Sequence, residues 1–276
     1  MTTDAAAIRA RACFLREETV RLISIAKTGH YASSFSCAEI LAVLYDGVLR
    51  LRRGEPDWPG RDRFLLGKGH AAVALYPLLA SLDYFPSADL DGYAGLGSPF
   101  GDHPDMRRIP GIDFSSGSLG HALSAGLGMA LAAPLTGHDY NVYALLGDGE
   151  LHEGQVWEAA LAAAHHRARN LVAIVDRNEY CLDGVVEDVI GLEPLAKKWA
   201  AFGWQVFVVD GHDVNAMLTV FAAVTGDAYR ECPVVIIAKT VKGKGVGFME
   251  REPGWHLGYL DPADEERVLA ELRGGA

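Results

Sequence analysis

VYALLGDGE, residues 142–150, decides the fold. Its opening run is apolar without alternation, the pattern of a parallel strand covered on both faces. The run passes straight into Gly147-Asp148-Gly149-Glu150, and a helical stretch begins near Gly154. LVAIVD (171–176) repeats the arrangement and passes into Arg177-Asn178-Glu179-Tyr180. QVFVVD (205–210) and VVIIAK (234–239) are two further strands of the same kind.

Helical patterns separate these strands. Residues 5–27 carry a recurring apolar face, with Gly29 as the expected stop. Ser36, with Glu39 three positions on, predicts a capping box at the start of a second helix. Further helices are expected at 70–82, 118–133, 154–167, 192–202, 213–229 and 262–272. Strands alternating with helices define an α/β fold, a parallel sheet with helices on both faces and right-handed crossovers. No repeat, low-complexity linker or break in composition divides the chain. Residues 1–276 therefore read as one domain with an N-terminal helical layer. The irregular stretch 83–114, rich in Gly and Pro, is a candidate functional loop.

Composition narrows the class. The 276 residues are 50% hydrophobic and 22% charged, the profile of a globular protein rather than a disordered chain. The net charge of −11 leaves no basic excess for neutralising a nucleic-acid backbone, although a small phosphorylated ligand needs only a local site. Cys13, Cys37, Cys181 and Cys232 are widely spaced and read as buried free thiols, not a disulfide framework. The N-terminus lacks an apolar signal core, and the run 122–135 is too short and interrupted to span a bilayer. A cytoplasmic protein is the default expectation, with no nucleic-acid or membrane partner.

Ligands of open α/β sheets bind beyond the carboxyl ends of the strands. There, Asp148 and Asn178 offer hard oxygens to one cation, and the glycines around Asp148 let the backbone approach an anion. A Gly-Asp-Gly tripeptide by itself is no more than a tight turn. Paired with an asparagine just past the next apolar strand, it resembles the signature of thiamine diphosphate enzymes.

Five further stretches extend the match. They are KTGHYASSFSCAEILAVLY around His30, RDRFLLGKGHAAVALY around His70, GDHPD around His103, SSGSLGHALSAGLGMA, and KTVKGKG followed by PGWH around His256. With GDGELHEGQVWEA and IVDRNEYCLDG, the chain resembles the N-terminal, diphosphate-binding region of a transketolase over nearly its whole length.

That resemblance implies roles. Asp148 and Asn178 bind the metal through side-chain oxygens, with the Tyr180 carbonyl as third ligand; the metal is Mg²⁺, or Ca²⁺ or Mn²⁺ in its place. Gly149 presents its N–H to the diphosphate, and Gly117, Ser118 and Leu119 line the thiamine pocket. His70 and His256 lie near the diphosphate and the reacting centre, while His30 and His103 face the substrate. Ser33, Lys68 and Lys242 fill further pocket positions, and Glu153 matches a glutamate of the acidic network between subunits. Histidine suits such a site because it donates or accepts a proton near neutral pH. By contrast, His165 and His166 read as solvated, and His121, His152 and His212 carry no assigned chemistry.

Departures from the family pattern bear on the substrate. Tyr31 follows His30 where a smaller residue is usual, and is expected to narrow the donor entrance or to pack against the loop. Leu257 replaces a glycine, and Leu182 replaces a polar residue found in some relatives. The matched sequence ends before the pyrimidine-binding domain that carries the activating glutamate in transketolases. The resemblance is thus to the N-terminal subunit of a split, two-chain enzyme that moves a two-carbon ketol unit from a ketose to an aldose. A partner chain then supplies the glutamate in an α2β2 heterotetramer, with residues 117–133 expected at the interface. Competing readings are the first subunit of a 2-oxoacid dehydrogenase and a non-catalytic assembly subunit. The former leaves KGH, GDHPD and PGWH without explanation, and the latter leaves four retained histidines unexplained.

Overall fold

Strand register brings the Gly-Asp-Gly turn beside Asn178. In the computed structural model, which describes residues 4–225 and 231–274, β2 (Val142–Gly147) runs parallel to β3 (Leu171–Arg177) with Gly147 opposite Asp176. Three more strands complete a parallel sheet: β1 (Arg63–Leu66), β4 (Gln205–Asp210) and β5 (Val234–Lys239), in the order β1-β2-β3-β5-β4. The four expected strands are present. β1 is an addition that sequence periodicity did not single out. It is four residues long, lies at an edge, and begins with a charged residue, so it carries too little apolar pattern to stand out.

Alternate residues of the central strands feed two cores. Tyr143, Leu145, Val172, Ile174 and Ile236 face one side, and Val142, Ala144, Leu146, Ala173, Val175 and Ile237 the other. Burial of both sides explains why the strands read as unbroken apolar runs. On the first side lie α1 (Ala5–Ala26), α3 (Ala38–Val43), α4 (Ala72–Ser81) and α9 (Val214–Thr225), with α10 (Pro262–Gly274) packed outside α1. The second side is covered by α5 (His121–Leu135), α6 (Gly154–His165) and α8 (Leu195–Ala201). A Cβ on Gly126 would stand 3.4 Å from Val142, so this glycine lets α5 lie close on the sheet. The short helices α2 (Tyr31–Ser36) and α7 (Val186–Val189) flank the strand ends. The last part of the expected helix 213–229 lies outside the described residues.

Three local expectations are corrected. α1 stops at Lys27, which adopts the left-handed conformation at φ 56°, while Gly29 instead pairs with Gly258 in an isolated antiparallel bridge. Ser36 caps nothing: its hydroxyl donates to Asp176 at 2.6 Å, and Glu39 is held by Arg16 and His212. Of the four free cysteines only Cys37 is buried; Cys13, Cys181 and Cys232 are partly accessible. The stretch 83–114 is irregular as expected, apart from a 3₁₀ segment at Ser87–Gly92.

Candidate active site

Beyond the ends of β1, β2 and β3 lies a cavity of about 340 Å³. One end of it is set by Asp148, the first residue after β2. Oδ1 of Asp148 accepts the Gly149 N–H at 2.8 Å, and Oδ2 accepts the Glu179 N–H at 2.6 Å. The second bond ties the loop after β3 to the loop after β2, which keeps Asn178 beside Asp148. Asn178 is itself fixed, its amide donating to Asp176 at 3.1 Å and its Oδ1 accepting the Tyr180 N–H at 3.1 Å. Arg177 donates to Asp148 at 3.1 Å and to Glu187 at 2.7 Å, linking the same carboxylate to α7. Burial, with Asp176 nearby, pushes the Asp148 carboxyl up to about 6, against the pull of Arg177.

Beneath this end sits a buried ion pair that the sequence did not announce. Lys68 and Asp176 are in direct contact, and Lys68 also donates to the Ser33 carbonyl at 2.8 Å. Asp176 accepts from Ser36 and Thr240 as well. Burial disfavours both charges, but mutual attraction prevails: the carboxyl of Asp176 is held below its usual range and Lys68 above its own. The one available signal was a charged residue closing an otherwise apolar strand, LVAIVD. Glu150 is also buried; it accepts from Gly120 and Gly147 at 2.9 and 3.2 Å, and burial lifts it to about 7.

In the same cavity, three imidazoles form a triangle. Ring centroids of His30 and His70 are 5.0 Å apart, His30 and His256 5.2 Å, and His70 and His256 5.3 Å. They come from three places: the N-cap of α2, the 3₁₀ turn Gly69–Ala71 after β1, and the loop after the turn Pro253–Trp255. Two hydrogen bonds between Gly29 and Gly258, at 3.1 and 3.0 Å, hold the His30 and His256 loops together. Burial and the neighbouring Lys68 keep His70 well below the ordinary histidine range; burial and Lys242 lower His256 to about 4. In both rings the surroundings favour the neutral form, which leaves one ring nitrogen as an acceptor.

The cavity gathers nearly every residue singled out from sequence. His30, Ser33, Lys68, His70, His103, Gly117, Leu119, Asp148, Gly149, Glu153, Asn178, Tyr180, Lys242 and His256 line it. Ser118 does not: the chain turns between Gly117 and Gly120, and Ser118 is left on the outer side. Lys242 is buried and donates to the Cys181 carbonyl at 3.0 Å, whereas Lys244 pairs with Glu250 near the surface. Burial and Lys68 lower Lys242 to about 8.

Of the two roles expected of Tyr31, the structure shows packing. It is fully buried, absent from the cavity wall, and packed against Phe35 and Trp255, so it does not narrow an entrance. His152 lines the cavity and reaches the Ile190 carbonyl at 2.8 Å. His212 bridges Glu39 and the Val241 N–H, both at 2.9 Å, and so braces the segment leading to Lys242. His165 and His166 are exposed, as expected.

The residues present fit a metal-bound diphosphate. Among the described residues no cluster of three His, Cys, Asp or Glu side chains forms a metal site. The oxygen set at Asp148, Asn178 and Tyr180 is instead one carboxylate, one amide and one carbonyl, which suits a hard cation whose shell is completed by phosphate and water. Among the described residues, Ser33 Oγ and His256 Nδ1 are buried in the cavity wall without hydrogen-bond partners, polar atoms that a bound group would satisfy.

A parallel sheet with an acid and an amide at neighbouring strand ends, beside a wall of histidines, defines a diphosphate-binding α/β enzyme domain. Residues 8–269 match the family described as transketolase, thiamine diphosphate binding domain. The chain is 37% identical over 257 residues to one subunit of the apulose-4-phosphate transketolase of Phocaeicola vulgatus, spanning 93% of this chain and 90% of that protein. It is 39% identical over 258 residues to the SqwG subunit of the 6-deoxy-6-sulfo-D-fructose transketolase of a Clostridium species, spanning 94% and 93%. The solved transketolase of Campylobacter jejuni is similar with a TM-score of 0.89 at 28% identity, over 98% of this chain and 42% of that one. The chain belongs to the transketolase family, carries its thiamine diphosphate-binding domain, and is a transferase of transketolase type.

Proposed function

We propose that residues 1–276 form one diphosphate-binding domain, the N-terminal subunit of a cytoplasmic two-chain transketolase acting on anionic ketoses. The observation that carries this reading is one cavity holding both the Asp148–Asn178 oxygen set and the His30–His70–His256 triangle. Among the described residues no helix is long and apolar enough to cross a membrane. The relatives from Phocaeicola and Clostridium are named for ketoses that carry a phosphate or a sulfonate, and that feature is extended here to the substrate class.

Asp148, Asn178 and the Tyr180 carbonyl would hold Mg²⁺, with Ca²⁺ or Mn²⁺ as substitutes. Gly149, Ser33 and Lys242 would face the diphosphate, and Gly117 and Leu119 the rings. When bound, thiamine diphosphate supplies the electron sink for breaking a carbon–carbon bond beside a carbonyl. The chain's own residues then manage protons. His70 and His256, kept neutral by burial, accept and return a proton at the reacting centre. His30 and His103 orient the substrate hydroxyls. Lys68, in the cavity wall and paired with Asp176, would fill a further position of the cofactor pocket.

A partner bearing the pyrimidine-binding domain would supply the activating glutamate, and Glu153, exposed at the cavity edge, would face it in an α2β2 assembly. Coexpression with such a partner, followed by a screen of phosphorylated, sulfonated and neutral ketoses, tests the reading. Two-carbon transfer to an aldose is the expected result; oxidative decarboxylation of a 2-oxoacid in its place would overturn it.

A further inference from the structure

Asp102 stands between the two histidines assigned to the substrate. Its Oδ1 lies 3.1 Å from His30 Nδ1, and its Oδ2 lies 3.6 Å from His103 Nδ1. The loop carrying it is anchored from below: the Tyr76 hydroxyl, on α4, donates to the Gly101 carbonyl at 2.8 Å. Tyr76 is fully buried among Tyr93 and Phe100, so the position of Asp102 is set by the core.

An ionised carboxylate can only accept. The contact at 3.1 Å therefore requires the proton on His30 Nδ1. A neutral imidazole carries one N–H, so the proton on Nδ1 leaves Nε2 as a bare acceptor. Among the described residues Nε2 of His30 has no hydrogen-bond partner, and the ring lines the cavity against His70 and His256.

We propose that Asp102 is a positioning residue that locks His30 in the Nδ1–H tautomer, making Nε2 the acceptor for a substrate hydroxyl. This rests on the reading of the cavity as a ketose site. His103, the other neighbour, is farther from the carboxylate and half exposed, so the lock acts chiefly on His30. The consequence is directional. A hydroxyl of the ketose donates to His30 rather than accepting from it, which sets the orientation of the donor before its proton is moved.

The test uses the full chain labelled with ¹⁵N-histidine, alone and mixed with its partner. Long-range proton–nitrogen correlation reports which ring nitrogen is protonated, and His30→Gln assigns the signal. His30 is expected as Nδ1–H in the parent and in Asp102→Asn, whose amide carbonyl still accepts. Asp102→Ala is expected to shift it to Nε2–H. With the partner present, Asp102→Ala should lower kcat/KM by about tenfold or more, Asp102→Asn should recover most of it, and cofactor affinity should be equal in all three. His30 found as Nε2–H in the parent, or unmoved in Asp102→Ala, overturns the proposal. If the parent complex transfers no ketol unit, the functional reading falls, while the tautomer measurement still decides the Asp102–His30 contact.

Discussion

The ring of Tyr31 meets that of Trp255 edge to face, with centroids 6.4 Å apart, one residue along from His30 and one residue before His256. The two aromatic residues form the back of the histidine wall, neither of them lining the cavity. Each histidine thus points into the site while its neighbour is packed behind, and the Gly29–Gly258 bridge closes the same seam.

Replacing Tyr31 by alanine should therefore act on the wall as a whole. Removing a buried aromatic side chain from a packed core costs about 3–5 kcal/mol. The expected outcome is that loss in urea unfolding, with kcat lowered by similar factors for every ketose. A changed ratio of kcat/KM between ketoses would return Tyr31 to the role of an entrance residue.

Asp148→Ala should weaken Mg²⁺-dependent binding of thiamine diphosphate by at least about 100-fold, more than is typical when a residue behind a metal's ligands is lost. The fold should survive, because Arg177 keeps its contact with Glu187. Calorimetric titration of cofactor at fixed Mg²⁺, read beside a thermal melt, measures both. Unchanged affinity would sink the metal assignment.

How much of this was legible in the sequence depends on how local each feature is. Strands β2 to β5 and the Asp148–Asn178 pair are read from contiguous runs, and the sheet register does the rest. Features set by direction or by distant partners were not legible. Tyr31 stayed open between an entrance role and packing, because adjacency to His30 does not fix direction: His30 is the non-helical N-cap of α2 and lines the cavity, while Tyr31 is the first helical residue and is buried in the core. Ser36 looked like a cap, but its hydroxyl is taken by Asp176, 140 residues away. Asp102 and His212 carry no local signal either; their partners are His30, Glu39 and Val241, brought together only by folding.

The Arg16–Glu39 pair predicts a pH effect on stability. Both terminal guanidinium nitrogens of Arg16 reach Glu39 at 2.7 Å, and His212 adds a third contact. Burial opposes the charge on Glu39, but Arg16 and His212 outweigh it and hold the carboxyl at about 2 instead of 4.5. A carboxylate depressed in this way stabilises the fold fully above pH 4.5, and the contribution is lost as pH falls through 2. Glu39→Gln should cost about 3 kcal/mol near neutral pH, since it strands a buried guanidinium. It should also flatten the stability profile between pH 4.5 and 2. Denaturant midpoints across that window provide the measurement; parallel profiles for parent and variant would contradict the assignment.

The isolated chain, supplied with thiamine diphosphate and Mg²⁺, should bind both yet transfer no ketol unit until a partner with the pyrimidine-binding domain is added. The carboxylates lining the cavity are Asp148, Glu150, Glu153 and Asp183, all on the loops that follow β2 and β3. Asp148 is held by the Gly149 and Glu179 amides and by Arg177, and Glu150 is turned inward onto the Gly120 and Gly147 amides. Glu153 and Asp183 are exposed, in the segments to which the proposed function gives the diphosphate end. None is thus placed to activate the far ring of the cofactor, which is the task assigned to the partner. The apolar side chains Leu182, Ile190 and Leu257 are exposed on segments that bear cavity residues, where a second chain with an interface of standard size would cover them. Activity titrated against added partner should rise to a plateau at one partner per chain, with sedimentation giving a species of two copies of each. Steady turnover by the purified single chain would refute the two-chain reading and would require one of these four carboxylates to move to the other end of the site.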